Sequence, residues 1–192
     1  MKVGIFGGGF KPFHTGHFGK VALALEENDK VYLFYGIESD KAKKPKRRKM
    51  GTSEREYTPQ MSKEIFNITK DALEKKYPGR IEVIESPAPV GSVIDKIGEY
   101  KGTAADRVER IKVYGRPDDL QKYYLNMYTR ENKQGENLGK KHFGELRERG
   151  ILTFGTISSD EAEGLTPDEL VQLENERISG ALQGTYPDAS DA

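Results

Sequence analysis

The 192-residue chain contains no cysteine and no tryptophan. Without cysteine it can form neither disulfides nor thiolate metal sites, which fits a cytoplasmic protein. Long hydrophobic runs are also missing, so no segment reaches membrane-span length and no apolar signal-type stretch follows Met1. A membrane partner is therefore not expected. Net charge is zero, with 31 basic against 31 acidic residues, which argues against a dedicated nucleic-acid coat. Only 35% of residues are hydrophobic, yet ten Tyr and eight Phe can anchor a core, so low-complexity disorder is not expected for most of the chain. The length suits one domain with one core.

The balanced charge is unevenly spread. Residues 41–49 carry seven cations, Lys41, Lys43, Lys44, Lys46, Arg47, Arg48 and Lys49, whereas 157–192 hold nine acidic residues against Arg177 alone. The basic run reads equally as a solvated loop or as a contact for substrate phosphate.

Strands are expected at 2–6, 30–35, 81–84, 110–114 and 151–154, where β-branched and aromatic residues run together. Between them, helices are expected at 16–27, from Thr58-Pro59 to before Pro78-Gly79, and at 90–100. The capping box Thr166-Pro-Asp-Glu169 opens another over 165–177. This alternation predicts an α/β fold, a Rossmann-like doubly wound parallel sheet of about five strands in a single domain. The domain spans 1–184 with a polar insertion at about 123–150, and 185–192 form a flexible tail. Tyr32, Phe34 and Tyr35 belong to the core or a sheet edge rather than to stacking platforms. Such sheets bind ligands at the carboxyl ends of their strands, near the switch in strand order.

The glycine-rich turn after the first strand lies at such a place. Gly7, Gly8 and Gly9 remove side chains where a bulky anion must meet the backbone, and the helix start beyond them offers free N–H groups and a positive dipole end. His14 and His17 then fall on the first helical turn with Gly16 between them, where phosphate or base can come down onto the backbone. A histidine pair at a helix start is more often a cap or surface feature; the preceding glycines and Pro12 favour the functional reading. Zinc is not expected, because no third ligand of the usual kind lies nearby. His142 has no motif around it.

The run Gly8-Gly-Phe-Lys-Pro-Phe-His-Thr-Gly-His17 resembles the HxGH signature of the nucleotidyltransferase superfamily. It is most similar to the archaeal-type nicotinamide mononucleotide adenylyltransferases and their phage relatives, with Gly9 in place of Arg and Lys11 in place of Gln. Ser86-Pro-Ala-Pro-Val90 and Gly115-Arg116-Pro117-Asp118-Asp119 also resemble phage members. The family's second signature, Ile-Ser-x-Thr-x-x-Arg opening a late helix, is best matched by Ile178-Ser179-Gly180-Ala-Leu-Gln-Gly184, without its Thr and Arg. Ile157-Ser158-Ser159 is a second candidate. Ser179 reads equally as part of a helix stop after Arg177. Asp118 and Asp119 are more often helix-start residues than ligands.

The resemblance implies in-line attack by an acceptor phosphate on the α-phosphorus of a nucleoside triphosphate, ATP first, with release of pyrophosphate. His14, His17 and Lys11 would be the catalytic residues. Gly7, Gly8, Gly9, Phe10, Gly16, Gly115, Arg116, Asp118, Ser179 and Gly180 would bind nucleotide. Mg²⁺ would come with the triphosphate rather than on dedicated protein ligands. The partners are then ATP or another nucleoside triphosphate and a small phosphorylated acceptor such as nicotinamide mononucleotide, with NAD as product. Self-association stays open. Two alternatives stand beside this: a cytidylyltransferase or another adenylyltransferase acting on a sugar or alcohol phosphate, and a nucleotide- or nucleic-acid-binding protein that has lost turnover.

Overall fold

The computed structural model describes residues 1–10, 13, 15–37, 58–115, 120, 124, 134, 144–155, 161 and 163–185. In chain order the elements are β1 (Lys2–Gly8), α1 (Thr15–Glu27), β2 (Lys30–Gly36), α2 (Pro59–Lys76), β3 (Ile81–Ser86), α3 (Pro89–Gly98), α4 (Thr103–Asp106), β4 (Arg110–Tyr114), β5 (Leu152–Phe154) and α5 (Pro167–Thr185). The five strands form one sheet in the order β3-β2-β1-β4-β5, and every neighbouring pair is parallel. The expected α/β, Rossmann-like single domain is what the chain adopts.

Strand composition explains why helices cover both faces. Val3 and Ile5 of β1 pack on one side with Phe34, Ile111 and Val113, against Val93 and Ile97 of α3 and Ala105 of α4. The alternate residues Phe6, Val31, Leu33, Tyr35, Val83 and Tyr114 pack on the other side, against Val21, Ala24 and Leu25 of α1 and Phe66 and Leu73 of α2. A parallel strand that is apolar on both faces must be covered on both. Burying each such Leu or Ile side chain stabilises the fold by about 1.5–3 kcal/mol relative to leaving it in water.

Two helix starts form as their sequences predict. Thr58 Oγ1 accepts the N–H of Met61 at 3.2 Å, with Pro59 at the first helical position. Thr166 Oγ1 accepts the N–H of Glu169 at 3.3 Å. α5 runs on to Thr185, however, well past the expected end at Arg177. Its Ser179-Gly180 pair is therefore no helix stop. α5 packs against α1. Within the polar insertion, Tyr124 and Leu146 are buried members of the α3-side core, and 144–148 form a helical turn. These two side chains thus join the insertion to the core, while Glu145 and residues 147–150 are exposed.

The carboxyl end of α1 is tied down by a polar cluster. Glu27 Oε2 accepts from Lys112 Nζ at 2.8 Å and from the Tyr114 hydroxyl at 2.7 Å. Asn28 Nδ2 donates to the Tyr114 hydroxyl and to the Ala24 carbonyl, each at 2.8 Å. The Arg110 guanidinium donates to the Glu27 carbonyl and to Asn28 Oδ1, and Arg80 donates to the carbonyls of Leu25 and Asn28. Tyr114 is 1% exposed. Burial, followed by the adjacent Glu27 carboxylate, pushes its hydroxyl well above the ordinary tyrosine range.

Candidate functional site

The strand order reverses between β1 and β4: β2 and β3 follow to one side of β1, and β4 and β5 to the other. The crevice outside the carboxyl ends of these two strands is where sheets of this topology hold ligands. β1 ends at Gly7-Gly8, β4 ends at Tyr114 opposite Phe6, and Gly115 follows directly. The sequence-predicted Gly7, Gly8, Gly9 and Gly115 are thereby brought to one end of the sheet.

Phe10 and Phe13, beyond Gly9, belong to an aromatic floor. Phe10 is 5% exposed and folds back on the turn, so a Cβ at Gly8 would lie 2.8 Å from its ring. Phe10 meets Phe13 edge-to-face at 4.9 Å and Phe6 at 5.6 Å, and its ring lies 4.8 Å from that of Tyr35. Tyr35 in turn contacts Phe66 at 5.4 Å. Tyr35 and Phe34 are core residues, as expected, and Tyr32 is partly buried beside the core. The floor itself is more than the sequence pattern announces: Phe10, Phe13 and Tyr35 are separated along the chain and converge only because β2 runs beside β1.

His17, the third residue of α1, stands on this floor. Its ring is half-buried, edge-to-face with Phe10 at 4.6 Å and tilted over Phe13 at 5.2 Å. Two aromatic contacts restrict the imidazole at the first helical turn, beside backbone N–H groups that a helix cannot satisfy from within. Gly9 is exposed, and a Cβ built on it meets nothing described within 4 Å. Among the described residues, space is therefore open beside Gly9. Bare main chain, a helix amino terminus and a fixed imidazole together suit an anion.

Other predicted residues are placed less informatively. Lys11, His14, Arg116 and Asp118 lie outside the described residues, as do Asp119, His142, the basic run 41–49 and the Ile157-Ser158-Ser159 candidate. Gly16 lies in the first turn of α1. Ser179 and Gly180 fall in the second half of α5, so the segment that resembles the second signature opens no helix. The first turn of α5 instead carries Asp168 and Glu169, whose carboxylates already occupy the positive end of that helix and would oppose a phosphate there. Among the described residues no group of three or more His, Asp or Glu converges in a way that could hold a metal ion. Among them, too, no helix is long and apolar enough to cross a membrane.

Two neighbours of the turn lie outside the motif. Gly36, at the end of β2, and Pro89, at the start of α3, both press against Gly8 or its neighbours. The chain matches no protein-family model and no curated protein. Any functional reading must therefore come from the site.

Proposed function

We propose that the protein is a nucleotidyltransferase that passes a nucleoside monophosphate, AMP from ATP in the first instance, to the phosphate of a small acceptor such as nicotinamide mononucleotide. The observation that carries this reading is the bare turn Gly7-Gly8-Gly9 between β1 and α1 at the strand-order switch, with His17 braced on Phe10, whose ring packs against Gly8. The resemblance of the same residues to the HxGH signature supports it independently of the geometry.

The chemistry asks little of the protein beyond alignment. An acceptor phosphate is already ionised at neutral pH, so no general base is needed. One of its oxygens bonds to the α-phosphorus while the bond to the bridging oxygen of the β-phosphate breaks, and pyrophosphate leaves with that electron pair. In this reading the turn and the first N–H groups of α1 bind phosphate oxygens, and His17 donates to the charge that develops as the bond breaks. His14 and Lys11 share that task by their place in the signature. The donors at the turn suit phosphate oxygens rather than a cation. Magnesium would therefore arrive on the triphosphate, held mainly by its oxygens and water, and supply charge neutralisation.

The test is to incubate the purified chain with ATP, nicotinamide mononucleotide and Mg²⁺ and to assay NAD and pyrophosphate. NAD formation that falls by roughly 10²–10³-fold in His17→Ala supports the reading. No product at high enzyme concentration sinks the choice of acceptor, and a thermal-shift panel of ATP, CTP and GTP then identifies the nucleotide by mass action.

One observation favours a second reading, nucleotide binding without turnover. Ser179 lies within α5, and acidic residues fill that helix's first turn, so α5 offers no phosphate-binding start. ATP binding without pyrophosphate release selects this alternative; release abolished by His17→Ala rejects it.

A further inference from the structure

We infer that Gly36, which lies outside the histidine motif, is a positioning residue for the glycine turn; its consequence for ligand binding rests on the nucleotide reading above, its geometry does not. Gly36 ends β2, with its α-carbon in register with Ser86 of β3. A Cβ there would lie 2.9 Å from Pro89 Cγ, 3.0 Å from Gly9 Cα and 3.1 Å from the Gly8 carbonyl oxygen. Such approaches are at or inside the limit that real Cβ atoms show, and none of the three atoms is the end of a flexible side chain.

The wall on the α3 side is fixed by several independent contacts. Ser86 Oγ lies 2.6 Å from Ser92 Oγ and accepts the N–H of Ala88, which holds the start of α3 to the end of β3. A Cβ on Gly7 would sit 2.8 Å from Val93 Cγ2, so α3 already rests on β1 as closely as a glycine allows. The turn is backed at Gly8 by the Phe10 ring, whereas at Gly9 no described atom lies within 4 Å of a built Cβ, so Gly9 is the part free to give. A methyl group at position 36 therefore displaces the turn outward at Gly9, into the space where a phosphate would sit. The absence of a side chain at Gly36 sets how deep the turn lies.

The experiment compares wild type, Gly36→Ala and Gly98→Ala, a control glycine in α3 whose added Cβ meets nothing described within 4 Å. Backbone amide shifts are recorded in nitrogen-15 spectra, and affinity for a fluorescent ATP analogue with Mg²⁺ is measured at a temperature where circular dichroism shows each variant folded. Gly36→Ala is expected to move the Gly8, Gly9 and Phe10 amides far more than those of Val3 to Phe6. It is also expected to weaken the analogue by about tenfold or more, the scale of losing one charge-assisted hydrogen bond. Gly98→Ala should change neither. If Gly36→Ala does not fold, Gly36→Ala combined with Pro89→Ala removes the ring contact, keeps the methyl against the turn, and carries the same expectation. Unmoved Gly8 and Gly9 amides overturn the inference, as do moved amides with unchanged affinity. A wild type that binds no nucleoside triphosphate instead overturns the nucleotidyltransferase reading, and the two failures are told apart by the amide shifts.

Discussion

Gly9 and Gly36 are both small for the sake of the same turn, but for opposite reasons. At Gly36 an added methyl meets main chain and a proline ring, whereas at Gly9 it meets no described atom within 4 Å and the backbone has no positive φ. Gly9→Ala is therefore compatible with the fold and should raise stability to urea slightly, by about 0.4–1 kcal/mol, because it restricts the unfolded chain. The same methyl fills the space beside Gly9, so affinity for ATP should fall while stability does not. A loss of stability that tracks the loss of affinity would show that Gly9 serves only the fold. The motif from Gly8 to His17 was legible in the sequence because its chemistry is local. Gly36 was not, since nothing in a lone glycine after Tyr35 says which atoms three other segments will place beside it.

Tyr114 gives a second prediction at this scale. Its hydroxyl is held neutral by burial and by the Glu27 carboxylate. A tyrosine whose folded-state value is raised contributes stability that is complete below its unfolded value of about 10 and is lost as pH rises beyond it. Urea unfolding at pH 9 and pH 11 should thus show a drop of up to about 1.4 kcal/mol per pH unit above pH 10 from this residue. Tyr114→Phe should be less stable at pH 9 yet lose less between the two pH values. Tyr100, also raised by burial, leaves a residual slope in the variant. An identical slope in both proteins contradicts the assignment.

At the level of elements, α1 is fixed at both ends, by aromatic rings under His17 and by the Glu27–Lys112–Tyr114 cluster at its carboxyl end. Lys112 is 7% exposed, so removing one partner strands a charge that is mostly out of water. Lys112→Met should cost about 1–3 kcal/mol, and Glu27→Gln a similar amount. The double variant should cost less than the two added together, as urea unfolding in a double-mutant cycle would show. Strict additivity would mean that the pair does not interact. A signal for this cluster was present in the sequence. Arg110, Lys112 and Tyr114 alternate with Ile111 and Val113, and a parallel strand covered on both faces cannot leave such a polar row without partners. The partner, Glu27, is 85 residues away from Lys112 and could not be named from spacing. α5 shows the opposite limit. Its capping box fixed where it begins, but its continuation through Ser179-Gly180 to Thr185 depends on packing along α1, which overrides the glycine as a stop.

For the whole molecule, the five strands and the α/β class followed from hydrophobic runs alternating with helical periodicity. The sheet order β3-β2-β1-β4-β5 did not, because pairing between distant strands leaves no local trace. Yet that order sets β1 beside β4 and brings a common glycine-rich turn to the point of strand-order reversal, where such sheets hold ligands. The burial of Tyr124 and Leu146 from the polar insertion escaped the sequence for the same reason: a few apolar residues in a charged stretch acquire meaning only when a core exists to receive them. The most direct measurement is a crystal structure grown with Mg²⁺ and α,β-methylene-ATP, which cannot release pyrophosphate. Density for the triphosphate is predicted over Gly8 and Gly9, with oxygens in hydrogen-bonding range of the first amides of α1 and of the His17 ring. Nucleotide bound elsewhere on the molecule, or a vacant crevice at saturating concentration, contradicts the account.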